Sequence, residues 1–93
     1  MFMKMTKVTF ADQVRKVVRS IPKGSTMTYS AVAKMAGHPG AARAVGTIMA
    51  NNFDKTVPCH RVIRSDGQIG EYNRTGGSKA KRALLIKEGA IRA

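Results

Sequence analysis

Thr28-Tyr29-Ser30-Ala31-Val32-Ala33-Lys34-Met35-Ala36-Gly37-His38-Pro39-Gly40-Ala41-Ala42-Arg43-Ala44-Val45-Gly46-Thr47-Ile48-Met49-Ala50 is the stretch that decides the fold. Thr28 is a residue type that caps a helix start, and Ala31, Val32 and Met35 follow on one helical face. Gly37 ends that helix, and Pro39 stands just before a second one running from about Gly40 to Ala50. Two short helices joined by Gly37-His38-Pro39 read as a helix-turn-helix. A recognition helix usually presents several long polar side chains to base edges. The Gly40–Ala50 segment has a single charge, Arg43, among alanine and glycine. Two readings stand side by side. The small residues let the backbone sit close to a narrow surface such as a minor groove, with one arginine projecting. Alternatively, it is a buried helix whose alanines pack on neighbours.

Upstream, Phe10, Val14, Val17, Val18 and Ile21 form one helical stripe, with Thr9 and Asp12 at capping-box spacing and Pro22 and Gly24 as the stop. Residues 1–8, with Met1, Met3 and Met5, read as a loose leader to a single domain over 9–93. Downstream, Asn51 to Lys55 is a polar loop, and Thr56 to Ile63 is rich in β-branched residues. Ser65-Asp66-Gly67 is a turn signal from which Gln68 to Tyr72 can return as a strand. Asn73 to Gly77 is a second loop. A last helix over Ser78–Lys87 is expected to bury Ala80, Ala83 and Leu84 and to close at Gly89. The predicted fold is mainly α with a small β-hairpin, a winged helix-turn-helix-like DNA-binding domain.

Composition narrows the function. The 93 residues carry 17 Lys and Arg against 5 acids, a formal +12 concentrated in residues 1–23 and 61–93. Such a field attracts polyanions. Nucleic acid is favoured over a membrane surface, because no basic helix here has a bulky aromatic face. Charge alone leaves open a merely soluble basic protein. The longest aliphatic run, Ala83 to Ile86, is far too short to span a bilayer, and residues 1–10 lack the apolar core of a secretory signal. The 1 cysteine excludes an internal disulfide, and a free thiol suits a reducing cytoplasm.

Pro58-Cys59-His60-Arg61-Val62 is the segment with chemistry in it. A thiol beside histidine and arginine lies in an electropositive setting that favours the nucleophilic thiolate. A lone cysteine is also commonly a small buried hydrophobe, and the residues alone leave both readings open. A zinc site is not expected. His38 is the other plausible soft ligand, no C-x-x-C pair is present, and zinc wants four ligands.

Taken in order, Ile21-Pro22-Lys23-Gly24, Tyr29, Ala42-Arg43-Ala44-Val45-Gly46, the asparagine loop, Pro58 to Val62, Ser65 to Gly70 and Leu84 to Gly89 resemble a known family. From about Phe10 to Gly89 the chain is similar to the C-terminal, DNA-binding domain of the O6-alkylguanine-DNA alkyltransferases. These are suicide repair proteins. The resemblance implies that Cys59 accepts the alkyl group, that His60 acts through a water as its base, and that Glu88 orients His60. It makes Tyr29 the residue that helps turn out the nucleotide and protonates the departing guanine, and Arg43 the finger that fills the vacated stack. Asn52, favoured over Asn51 by counting from Arg43, is the implied hinge asparagine. Thr28, Ala42, Gly46 and Arg61 join Tyr29 and Arg43 as implied DNA contacts, and Met49, Val62, Tyr72 and Asn73 as the substrate pocket.

Asn73 stands where the family has serine, and Arg74-Thr75 looks like an insertion. The family's N-terminal domain is expected to be absent. The resemblance implies a monomer without cofactor, acting on double-stranded DNA containing O6-alkylguanine, in the cytoplasm or with the chromosome. A related class binds lesions without chemistry and carries Trp in place of the acceptor, so Cys59 separates the two. A plain winged-helix regulator leaves the Cys-His pair unexplained.

Overall fold

A computed structural model of the chain describes residues 9–52, 54, 56–69 and 76–92. Helix α1, Phe10–Arg19, begins at the capping box: the Asp12 amide donates to Thr9 Oγ1 and the Thr9 amide to Asp12 Oδ2, both at 3.1 Å. Two otherwise orphaned backbone donors are thereby satisfied. Val14, Val17 and Val18 face inward, and Ile21 continues the stripe beyond the helix end. Pro22 then removes the next backbone donor, and Gly24 turns the chain at φ +93°. A Cβ at Gly24 would stand 3.3 Å from the carbonyl oxygen of Glu88. The turn after α1 therefore lies against the far end of the molecule's last helix.

Strand β1, Met27–Thr28, leads directly into α2, Tyr29–Met35, whose N-cap is Thr28: its hydroxyl accepts from the Ala31 amide at 3.0 Å. Gly37 breaks α2 at φ +93°. Helix α3 is Ala42–Ala50, two residues shorter at its start than expected, because Gly40 sits at φ +91° and cannot be helical. Val45 and Met49 are its buried residues. Valines from α1, α2 and α3 close with Ala33, Ala36, Val57, Cys59 and Val62 into one core cluster.

The expected strand over Thr56–Ile63 is mostly absent. Pro58 has no amide to give a ladder, and Cys59–Arg61 coils into a 3-10 turn closed by the Arg61 amide on the Pro58 carbonyl at 2.9 Å. Strand β2 is Val62–Ile63, and it pairs in parallel with β1, Met27 opposite Val62 and Thr28 opposite Ile63. The small sheet is thus this parallel pairing. The Ser65–Gly67 turn does form, with Gly67 donating to the Arg64 carbonyl at 3.0 Å; Gln68 and Ile69 are not in a strand, and the rest of the expected return strand, Gly70 to Tyr72, lies outside the described residues.

Helix α4, Gly77–Glu88, is capped at its C-terminus by Gly89 at φ +80°, with Ala90 donating to the Leu85 carbonyl at 2.9 Å. Its buried residues are Lys81 and Leu85; Ala83 is exposed, and Ala80 and Leu84 are only partly covered. The inner face is therefore turned by one residue from the expected one. No helix among the described residues is long and apolar enough to cross a membrane.

Candidate active site

Cys59 opens the 3-10 turn with its residue 5% exposed, a free thiol within the core cluster. The tight turn throws the next two side chains, His60 and Arg61, toward the C-terminal end of α4. There His60 Nε2 lies 2.9 Å from Glu88 Oε2. Arg61 reaches the same carboxylate with both arms of its fork, Nε to Oε1 at 2.9 Å and Nη2 to Oε2 at 2.8 Å, while Nη1 donates to the Ile21 carbonyl at 2.9 Å. All three side chains are largely buried: Glu88 is 9% exposed, His60 13% and Arg61 16%.

The electrostatics assign the protons. Hydrogen bonds from Arg61 hold the Glu88 carboxyl at about 2, against the opposing pull of burial and with further help from His60. Glu88 is therefore an acceptor at neutral pH, and His60 Nε2 must be the donor. That fixes the tautomer of a neutral His60 ring, leaving Nδ1 with a lone pair to accept a proton. Arg61 is in turn held above its ordinary range by Glu88, so it stays charged.

Tyr29 is the first residue of α2. Lys81 Nζ approaches Tyr29 Oη to 3.5 Å and lies 5.6 Å from the centre of its ring. Lys81 is 1% exposed. Burial lowers its ammonium to about 8, the largest of the influences on it. Lys81 is therefore a buried cation on the inner face of α4. The charge of Arg61, adjacent to the cysteine turn in sequence, is paired with Glu88. Sequence reading missed Lys81, although helical spacing contains the signal: a Glu88 turned inward places Leu85 and Lys81 on the same face.

The remaining residues divide between surface and interior. Arg43, in the first turn of α3, is exposed with Ala44, Thr47 and Ala50, while Ala42 and Gly46 are half-buried. A Cβ at Gly46 would meet nothing within 4 Å. Thr28 uses its hydroxyl to cap α2. Asn52 is buried, its Nδ2 donating to the Asp54 carbonyl at 3.3 Å, whereas Asn51 is exposed and donates to the Thr47 carbonyl. Arg61, expected among the DNA contacts, is instead committed to Glu88 and Ile21. Met49 and Val62 belong to the core, Val62 completely. Tyr72 and Asn73 lie outside the described residues. His38 packs edge-on against Phe10, ring centroids 4.9 Å apart.

A helix-turn-helix with a nearly bare second helix, joined by a short parallel pairing to a buried Cys-His turn facing a carboxylate, has relatives. Residues 9–90 match the family described as 6-O-methylguanine DNA methyltransferase, DNA binding domain. The chain belongs to this family. A methylated-DNA–protein-cysteine methyltransferase of Methanothermobacter thermautotrophicus is 54% identical over 81 residues, which is 86% of this chain and 44% of the relative. The Mus musculus protein of the same name is 47% identical over 83 residues, 87% of this chain and 39% of the relative. The chain thus spans about half the length of the curated relatives it matches. Among solved structures, Mycobacterium tuberculosis OGT in complex with DNA has a TM-score of 0.81 and 41% identity, covering 94% of this chain and 53% of that one. Schizosaccharomyces pombe Atl1, in complex with damaged DNA containing O6-carboxymethylguanine, has a TM-score of 0.78 and 36% identity, over 91% of this chain and 80% of that one. The mainly helical domain with its two-stranded sheet is the family's fold.

Proposed function

We propose that this chain repairs DNA by direct reversal, moving an alkyl group irreversibly from O6 of guanine to Sγ of Cys59. The observation that carries this reading is the bond between His60 Nε2 and the ionised Glu88, made by the residue that follows Cys59 in the same 3-10 turn. His60 Nδ1, directly or through a water, takes the thiol proton, and Glu88 stabilises the imidazolium that forms. The thiolate attacks the alkyl carbon in line. An S–C bond forms, the C–O6 bond breaks, and its electron pair leaves with the guanine. Tyr29 supplies a proton to the departing base. The thioether has no leaving route, so each chain acts once.

The lesion's alkyl carbon is inaccessible within a stacked duplex, so the nucleotide must be turned out. Arg43, exposed on a helix otherwise presenting alanine and threonine, is suited to fill the vacated place, with Ala42 and Gly46 allowing close approach to the groove. Asn52 fixes the loop between α3 and Cys59. The net charge of +12 supports a phosphate-dominated affinity with little sequence preference. Residues 9–93 act as one monomeric domain in a reducing compartment that holds DNA.

The likeness to Atl1, solved with lesion-containing DNA, is compatible with a second reading, lesion binding without transfer. One experiment separates them: incubation with duplex DNA containing O6-methylguanine, followed by intact-protein and peptide mass spectrometry. Gain of one methyl group, located on Cys59 and reaching a plateau at one per chain, is expected. Tight binding with no mass gain leaves the binder; turnover beyond one lesion per chain removes the suicide mechanism.

A further inference from the structure

We infer that Arg61 is a positioning residue: it locks the Glu88 carboxylate, and through it the His60 ring, in place by tying the end of α4 to the Ile21 carbonyl. This rests on the alkyl-transfer reading above and deepens it.

The argument starts from where Glu88 stands. It is the last residue of α4, at the negative end of that helix, and it is almost fully buried. Both circumstances disfavour a carboxylate. Among the described residues, the side chains that act on it are Arg61 and His60, both from the 3-10 turn. Lys81, two turns earlier on α4, faces Tyr29 instead. The turn after α1 offers its backbone: the Ile21 carbonyl to Arg61, and Gly24 so close to the Glu88 carbonyl that a Cβ would stand 3.3 Å away.

A side chain that only neutralised Glu88 would need one contact. Arg61 makes two parallel bonds to the carboxylate and a third to Ile21, all between 2.8 and 2.9 Å. A guanidinium is planar, so three donors fixed at one end leave the carboxylate no rotation about its axis. Glu88 Oε2 is shared: it receives both Arg61 Nη2 and His60 Nε2. The plane of the fork therefore sets where the imidazole must lie. The sequence Ile21-Pro22-Lys23-Gly24, remote from Cys59 along the chain, is the anchor of this clamp.

The test compares Arg61→Met, Arg61→Lys, Glu88→Gln and the double variant Arg61→Met/Glu88→Gln with the wild type. Alkylation of Cys59 by free O6-benzylguanine and by O6-methylguanine duplex is followed by mass spectrometry, and binding of undamaged duplex by anisotropy. Arg61→Met is expected to slow both reactions about tenfold or more, with duplex affinity within about twofold of wild type. Without the clamp the carboxyl protonates more readily, so the ratio of variant to wild-type rate should fall as pH is lowered from 7 toward 5. Arg61→Lys should recover part of the rate, because it restores charge but not the fork. The double variant should be no slower than Glu88→Gln alone, because Arg61 acts only through Glu88. It also removes both charges together, which preserves folding better than leaving one buried and alone.

Two results overturn the inference. One is a loss of duplex affinity with the free-base rate unchanged, which makes Arg61 a DNA contact. The other is a double variant whose losses multiply, or a rate ratio flat with pH, which leaves Arg61 a structural residue. A wild type that takes no alkyl group from either substrate refutes the transfer reading instead, and is seen before any variant is made.

Discussion

Helices α3 and α4 depart from the usual amphipathic pattern in opposite directions. In α3 the inside is conventional, Val45 and Met49, and the outside is nearly featureless: Arg43 rises from Ala44, Thr47 and Ala50. In α4 the outside is conventional, with Lys79, Arg82 and Lys87 exposed, and the inside is charged, with Lys81, Leu85 and Glu88 in one line. A charge on the outside is solvated at no cost, so α3 needs nothing to balance Arg43. A charge on the inside must be matched, and α4 shows the consequences: a lysine lowered to about 8 and a glutamate held at about 2. On the proposed reading, the outward helix meets DNA closely and the inward one sets the protons around Cys59.

If the two helices divide the work in this way, variants of α4 should slow alkyl transfer equally on a free base and on duplex DNA, and variants of α3 only on duplex. The largest effect is expected from Glu88→Gln. Losing the carboxylate charge opposite His60 should reduce the transfer rate by about a hundredfold or more on both substrates. A loss confined to duplex DNA would move Glu88 to the DNA side of the comparison.

On α3, Gly46→Leu is expected to separate stability from binding. Its Cβ has open space, and leucine in place of glycine favours the helix by about 0.8 kcal/mol. The variant should therefore unfold at the same or higher urea concentration, yet bind duplex DNA about tenfold more weakly, because the side chain holds the helix off the groove. Unchanged affinity would show that this face does not approach DNA.

The smallest effect concerns Lys81. Its folded value of about 8 lies below the ordinary 10.5, so between those values the unfolded chain binds more protons than the folded one. Stability from this group therefore rises with pH across that window. The stability of wild type minus that of Lys81→Met, from urea unfolding, should increase by about 1–2 kcal/mol between pH 7.5 and 10. A flat difference would mean that Lys81 is solvated like an ordinary surface lysine.

The contrast also explains what could be read from the residues. Helix α1 was legible to its first hydrogen bonds, because Thr9, Asp12 and the valine stripe obey capping and periodicity rules locally. Helices α2 and α3 were legible through Thr28, Gly37 and Gly40, although the positive φ of Gly40 moved the start of α3 to Ala42. The parallel pairing of β1 with β2 was not legible, since two residues in each strand leave no alternation to detect. The inner face of α4 was misread for a physical reason: alanines and leucines were assigned inward, while the structure buries a lysine and a glutamate whose partners, Tyr29, His60 and Arg61, lie far away in sequence. Tertiary partners alone make those charges tolerable, and no local pattern announces them. For Arg61 the sequence showed a cation in a basic chain, and the structure shows it turned away from solvent onto Glu88.

The division between the two helices is tested most directly by Arg43→Ala, with Cys59 alkylation followed by mass spectrometry on free O6-benzylguanine and on duplex O6-methylguanine in parallel. Arg43 is exposed on α3 and outside the Cys59–His60–Glu88 set. The rate on the free base should match wild type, since nothing needs to be turned out of a stack. The rate on duplex should fall by about tenfold or more, because the vacated place is left unfilled. Equal losses on both substrates, with circular dichroism showing an intact fold, would contradict the account and make Arg43 a structural residue of its helix.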